Sequence, residues 1–158
     1  LVTVFNDGLK VGALAVDHAP IDPAVGYLFS YNGRSLLITG DTVKSANVRK
    51  FAEGVDLLVH EALATNLIEM MENVAKKTGN ESGAKVMHEI RDYHTSAVEA
   101  AETARDAGVG HLHYYHIVPP LILPGQKNLF PDDTIGQDGV AFFLPANSND
   151  IIRTSEEL

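Results

Sequence analysis

Residues 35–42 read SLLITGDT, and residues 55–62 read VDLLVHEA. In both stretches a short apolar run ends abruptly in polar residues, at Asp41 in the first and at His60-Glu61 in the second. Short apolar runs of this kind are typical of strands buried in a sheet. In α/β sheets, ligands and catalytic groups collect at the edge formed by the carboxyl ends of the strands. The two stretches therefore predict a sheet with a polar site at one edge.

The segments on either side alternate between strand and helix patterns. Toward the N-terminus, Asp7-Gly8 and Asn32-Gly33 predict turns, the first before a strand at 9–16 and the second between strands at 27–31 and 35–39. Toward the C-terminus the pattern predicts helices at 44–52, 63–77, 82–90 and 96–108, a strand at 112–115, a loop region at 121–137 and a hairpin near 140–144. We expect a single α/β domain over residues 1–158, without internal repeats.

Composition narrows the classes of function. The chain has 158 residues, 45% of them hydrophobic, and its 12 basic against 21 acidic residues give a net charge of −9, which does not favour a nucleic-acid partner. The absence of cysteine excludes disulfides and thiolate ligands, so a metal would be held by imidazole and carboxylate groups. No apolar run is long enough to cross a bilayer, and we expect a soluble protein, cytoplasmic or periplasmic. The chain begins at Leu1, which is compatible with processing or with a piece of a longer protein.

Several side chains that can bind a metal or transfer a proton directly follow predicted strands. They are His18, Asp41, His60-Glu61 and His116. Each also has an ordinary structural explanation, because His18 could be a solvated loop residue before Pro20, Asp41 could cap a turn or helix, and His116 could pack before the prolines.

Five segments, in order, resemble motifs of the metallo-β-lactamase superfamily, and within it those of ribonuclease Z-like and arylsulfatase-like hydrolases. They are VDHAPIDPAVGYLF at 16–29, SLLITGDT at 35–42, VHEAL at 59–63, DYHTSAVEAAETARDAGV at 92–109 and HLHYYHIVPP at 111–120. The resemblance implies the C-terminal half of an αββα sandwich, which is a mixed sheet with helices on one face.

The same resemblance implies a centre with two zinc ions, although another divalent metal is possible. His18 and Asp41 would serve one ion, and Asp41 would bridge to a second ion held by His116. His94, beside a helix N-terminus, would assist the leaving group, and Glu61 would orient a histidine. Two metals held in this way can activate a water molecule and stabilise an oxyanion.

The chain departs from the family in one respect, because the His-x-His-x-Asp-His cluster of the first half of the domain is missing. The segment His111-Leu-His113-Tyr-Tyr-His116 imitates that cluster, but Tyr115 stands where the aspartate is needed, so we reject it and expect His111 and His113 to be partly exposed strand residues. His88 reads as a helix-surface residue. A half-sandwich would bind metal weakly and would leave an apolar face uncovered, so we expect self-association into a homo-oligomer.

The favoured function is a metal-dependent hydrolase of ester or phosphodiester bonds that uses a zinc-activated hydroxide. A small ester, sulfate, lactone or phosphodiester would be the substrate, with nucleic acid possible but not favoured by the net charge. The alternatives are a non-catalytic half-domain that self-associates through its apolar face, and an α/β binding module in which the Asp and His residues are structural. Upstream sequence containing the missing cluster would favour the enzyme.

Overall fold

The computed structural model of the chain describes residues 2–5, 7–121, 126 and 134–155. Six strands form one sheet in sequence order, antiparallel from the first to the fourth and parallel from the fourth to the sixth. The sheet is therefore mixed, as expected. Its strands are β1 Val2–Val4, β2 Lys10–His18, β3 Ile21–Tyr31, β4 Arg34–Ile38, β5 Leu57–Leu63 and β6 His111–Val118.

Helices fill the connections between the parallel strands. They are α1 Ala46–Phe51, α2 Thr65–Lys77, α3 Glu81–Glu89, a 3₁₀ turn at Ile90–Asp92, and α4 Ala97–Asp106. The capping box predicted for α4 is confirmed, because the Ser96 side chain accepts from the Glu99 backbone N–H while the Glu99 carboxylate accepts from the Ser96 backbone. Within the described residues no helix is both long and apolar enough to cross a membrane.

The core lies between the sheet and two of these helices. Leu37 and Leu58 are neighbours in β4 and β5 and are fully buried. They pack with one residue of α4 and with residues of the segments that follow α1 and α4: Ala104, Ala52, Val55 and Ala107. Helices on one face of the sheet are what the sequence predicted, and burial of this row of leucines fixes the register of the parallel strands.

The opposite face of the sheet is only partly covered. Val25 and Tyr27 alternate with the inward-facing residues of β3 and are 39% and 44% exposed. At the other end of this face, a hairpin is formed by β7 (Val140–Phe143) and β8 (Ile152–Ser155). It places the ring of Phe142 5.7 Å from that of His111 and 4.6 Å from that of His113, measured between centroids.

The β7–β8 hairpin differs from the sequence-based expectations in two respects. His113 was expected to be partly exposed, but it is 6% exposed because Phe142 covers it, so that expectation is wrong. The predicted hairpin near 140–144 supplies only β7, and its partner β8 was not predicted. The turn at Asn32-Gly33 is confirmed, with φ values of 49° and 77° that the tight β3–β4 connection requires. Most of the predicted loop at 121–137 lies outside the described residues.

Candidate metal centre

One edge of the sheet gathers all five residues that the sequence singled out. His18 ends β2, Asp41 follows β4, Glu61 lies in β5, His94 follows the 3₁₀ turn and His116 lies in β6. Their mutual contacts connect them into one cluster. Three of them, His18, Asp41 and His94, can each point one ligand atom to a common point, since these atoms lie within 4.8 Å of one another.

Asp41 occupies the middle of the cluster. Its Oδ1 lies 2.6 Å from Nδ1 of His116, and its Oδ2 lies 4.0 Å from Nε2 of His18. The preceding Gly40 has a φ of +67°, and a Cβ there would come within 2.7 Å of the Val25 carbonyl oxygen. Glycine is therefore needed at this position, because it lets the chain turn tightly against β3 and present the aspartate.

His18 is held in one tautomer by the backbone of a distant segment. Its Nδ1 is 2.7 Å from the carbonyl oxygen of Tyr93. Since a carbonyl oxygen can only accept, the hydrogen must be on Nδ1, which leaves the Nε2 lone pair directed toward the Asp41 side. The β2–β3 register shifts between Val16 and His18, so the histidine lies where the strand leaves regular pairing.

His116 lies at a second irregularity. Glu61 pairs with Tyr115 and Ala62 pairs with Ile117, so His116 is an extra residue in β6 without a partner in β5. Its φ of 44° is in the left-handed region, which non-glycine residues rarely adopt. Bulges of this kind redirect a side chain, and here the redirected imidazole contacts Asp41.

Glu61 and His94 form a buried pair behind these side chains. Glu61 is fully buried, and its Oε1 accepts the backbone N–H groups of Thr42 at 3.2 Å and of Thr95 at 2.8 Å. The same oxygen lies 3.2 Å from Nδ1 of His94, which is 9% exposed. The His94 ring is 5.1 Å from that of His18 and 6.1 Å from that of His116, measured between centroids.

The electrostatics of His94 reflect two opposing effects. Burial lowers its pKa, but the Glu61 carboxylate and the more distant charge of Asp41 outweigh burial, so the pKa is raised above its ordinary value. His60, next to Glu61, behaves differently. Its Nδ1 lies 2.8 Å from the Glu61 backbone carbonyl, and burial lowers its pKa, so it is a neutral core residue outside the cluster.

Tyr115 is a residue at this edge that the sequence did not single out as functional. Burial, together with the charge of Asp41, raises the pKa of its phenol. With His116 it lines a cavity of about 410 Å³ whose other walls include Ile117, Ile135 and Gln137. The signal in the sequence was its place directly before a predicted ligand, on the strand face opposite Tyr114.

The donor set suits a divalent cation. Imidazole nitrogens and a carboxylate are ordinary zinc ligands, and one oxygen of Glu61, Oε2, is buried without a hydrogen-bond partner among the described residues. The ligand set His18, Asp41 and His116 stays a prediction. The geometry adds His94, expected to be a catalytic residue, as a further group able to reach the same point.

Comparisons with known proteins identify a family over most of the chain. Residues 2–117 match the family described as "Beta-lactamase superfamily domain". The chain is 36% identical over 122 residues to a "Ribonuclease Z" of Mycobacterium sp. (strain KMS), which covers 77% of this chain and 39% of that protein. A "Putative ribonuclease Z" of Mycobacterium tuberculosis (strain CDC 1551 / Oshkosh) is 35% identical over 122 residues, covering 77% and 49%. The chain thus spans between two fifths and half of the length of these relatives.

Solved structures show the same fold. The metallo-beta-lactamase fold protein YhfI from Bacillus subtilis matches with a TM-score of 0.52 at 18% identity, over 74% of this chain and 40% of that one. The short form of human tRNase Z matches with a TM-score of 0.50 at 22% identity, over 73% and 38%. The chain belongs to the metallo-β-lactamase superfamily, and within that superfamily it is ribonuclease Z-like.

Proposed function

We propose that this chain supplies part of a binuclear zinc centre of a phosphodiester hydrolase. The observation that carries the proposal is the position of Asp41, whose two carboxylate oxygens face His116 at 2.6 Å and His18 at 4.0 Å. A carboxylate between two imidazoles is the arrangement that a bridging ligand needs. The relatives named ribonuclease Z support phosphodiesters as the substrate class.

The residues that would hold the ions are His18, Asp41 and His116. His18 contributes Nε2, because its Nδ1 is bound to the Tyr93 carbonyl. When bound, zinc supplies a Lewis acid that polarises the scissile group and lowers the pKa of a water molecule. The surrounding protein holds the ligands in place and keeps one side of the site dry, since Glu61 and Thr42 are fully buried behind it.

His94 is the residue that we assign to proton transfer. The Glu61 carboxylate, 3.2 Å from Nδ1, favours a hydrogen on that nitrogen and stabilises the protonated ring. A ring protonated on both nitrogens can donate to the oxygen of a leaving group and then recover its proton from water. Glu61 thus acts on the reaction through His94, as a positioning residue.

The net charge of −9 is the observation that favours a second candidate substrate. A long polyanion would be repelled by this chain, whereas a small neutral ester or lactone would not, and a small sulfate ester with a single negative charge would be repelled far less. The rival of both is a non-catalytic half-domain that assembles through its exposed sheet face. The three possibilities differ in what the purified chain binds and what it cleaves.

One experiment compares the parent chain with Asp41→Asn and with a matched control, Asp17→Asn. Asp17 is one residue from His18 but its side chain is exposed. We expect the parent and the control to bind zinc in calorimetry and to accelerate hydrolysis of bis(p-nitrophenyl) phosphate, and Asp41→Asn to lose both properties. Zinc binding equal in all three proteins would refute the proposed centre.

The substrate is tested with the same proteins. Cleavage of p-nitrophenyl acetate, but not of the phosphodiester, by the parent and not by Asp41→Asn would favour the small ester. Zinc binding that depends on Asp41, with no cleavage of either compound, would favour the non-catalytic half-domain. A short RNA with a 3′ extension, assayed at 50 and 200 mM salt, tests whether repulsion by the chain limits the binding of a polyanion.

A further inference from the structure

The hydrogen bond that orients His18 is accepted by the segment between α3 and α4, and separate contacts hold that segment in place. The acceptor, the carbonyl oxygen of Tyr93, immediately follows the 3₁₀ turn at Ile90–Asp92. The segment after Tyr93 is anchored to β5, because the carbonyl oxygen of Thr95 accepts from the backbone N–H of Leu63. The turn before Tyr93 lies between α3 and α4, outside the strands. The position of the Tyr93 carbonyl therefore depends both on this anchor and on what holds the turn.

A charged cluster on α2 holds it. Glu72 is 6% exposed, and its Oε2 lies 2.7 Å from Nη1 of Arg91, the middle residue of the turn. The other oxygen, Oε1, lies 2.6 Å from Nζ of Lys76 and 3.4 Å from Nδ1 of His88. A carboxylate this buried is costly to keep charged unless cations pair with it, so the pair with Arg91 has a strongly preferred geometry.

We propose that Glu72 is a positioning residue for the metal centre, acting through Arg91 on the turn that presents the Tyr93 carbonyl to Nδ1 of His18. Its effect is to keep the hydrogen of His18 on Nδ1 and the Nε2 lone pair toward Asp41. Hydrogen bonds of this kind orient ligating histidines and fix their tautomer. The inference uses the proposed ligand role of His18 but needs no hydrolytic activity.

Lys76 separates this role from a purely structural one. It contacts the same carboxylate as Arg91 and at a similar distance, but it is on the same helix as Glu72, four residues on, so this ion pair lies within α2 and does not link α2 to the turn. Loss of Lys76 removes a charge partner of Glu72 and leaves the link to the turn in place. Loss of Arg91 breaks the link.

The test compares Glu72→Gln and Arg91→Gln with Lys76→Gln as the matched control, all in the full chain. The first readout is the ¹⁵N chemical shifts of the His18 ring in metal-free protein at a pH where imidazoles are neutral. The second is the affinity for zinc, measured against a chromophoric chelator. Dispersed amide spectra show that each variant is folded, and Arg91→Gln, at a half-exposed residue, keeps the test valid if Glu72→Gln does not fold.

We expect both link variants to show a mixture of His18 tautomers and roughly tenfold weaker zinc binding, the lower end of the range for residues behind a ligand. The double variant Glu72→Gln/Arg91→Gln should show no further loss, because both changes break the same link. A His18 ring that stays in the Nδ1–H form in both single variants, as in Lys76→Gln, overturns the proposal. That outcome is independent of whether the chain cleaves phosphodiesters, since the first readout needs neither metal nor substrate.

Discussion

Replacing Glu61 tests most directly how the proposed metal centre is held together, because this carboxylate is fully buried and connects three segments. Its Oε1 accepts the backbone N–H groups of Thr42, after β4, and of Thr95, before α4, and faces His94. Both threonines are themselves fully buried, so bulk water does not reach their backbone N–H groups in the parent. Glu61→Ala should therefore destabilise the fold as well as the site.

The magnitude follows from counting the groups left unpaired. Each buried donor without an acceptor costs about 1–3 kcal/mol, so two of them cost about 2–6 kcal/mol in Glu61→Ala. Glu61→Gln keeps an oxygen in place and loses only the difference between charged and neutral hydrogen bonds, about 1 kcal/mol for each of the two. Since domains of this size are stable by about 5–15 kcal/mol, the glutamine variant should remain folded while the alanine variant could approach the unfolding threshold.

Urea unfolding of metal-free protein, followed by circular dichroism, measures both variants. The control is Glu102→Gln, which removes a partly exposed partner of Lys44 and should change the unfolding free energy little. The reasoning is refuted if Glu61→Ala and Glu102→Gln unfold at the same urea concentration, since two buried donors would then have lost their acceptor at no cost.

Glu61→Gln also reverses a pH effect. In the parent, the raised pKa of His94 contributes stability that is present at low pH and is lost as the pH rises through that pKa. Without the carboxylate, burial dominates and the pKa of His94 falls below its ordinary value, so stability would instead decrease as the pH falls. NMR titration of His94 in both proteins measures the change, and a pKa that does not fall in the variant would contradict the assignment.

Three further predictions concern His94, Glu72 and the exposed sheet face. His94→Ala should leave the zinc stoichiometry unchanged in calorimetry if His94 transfers protons, and a lost equivalent of zinc would make it a ligand instead. The ion pair with Lys76, and to a smaller extent the one with Arg91, lowers the pKa of Glu72 from 4.5 to about 2. The stability that this carboxylate contributes is therefore present above pH 4.5 and is lost as the pH falls toward 2. The unfolding free energy of Glu72→Gln should depend less on pH between these values. We expect the parent to self-associate through the exposed sheet face and Tyr27→Lys, on that face, to be monomeric in light scattering, and a monodisperse monomeric parent would contradict this expectation.

Local signals in the sequence predicted the elements whose cause is local. Asn32-Gly33 adopts the positive φ angles of a tight hairpin, and Ser96 and Glu99 form the capping box, because each pattern involves only neighbouring backbone groups. The site edge was also predictable. Apolar runs followed by Asp41 and by His60-Glu61 indicated buried strands with polar residues at one edge, and the observed parallel pairing of β4 and β5 places their carboxyl ends side by side.

Features that depend on long-range packing were not predictable in the same way. His113 is buried because Phe142, 29 positions later in the sequence, lies against it. Glu72 and Arg91 are charged residues on amphipathic segments and give no sign in the sequence that one carboxylate links α2 to the turn before His94. The left-handed backbone of His116 was equally hidden, since histidine adopts positive φ more often than most residues but not often enough to mark a bulge in a sequence.

The distance between the two outer histidines shows why the bulges matter. β2 and β6 are four strand spacings apart, which in a flat sheet would separate their ends by about 19 Å. Yet His18 and His116 both face the carboxylate of Asp41, at 4.0 and 2.6 Å. The register shifts at Val16/His18 and Glu61/Ala62 lie at the ends of these two strands, where added twist and bending bring the side chains inward. Because β2, β4, β5 and β6 run in the same direction, all four ends meet at one edge, and the two bulges help to gather there the side chains that we propose as metal ligands.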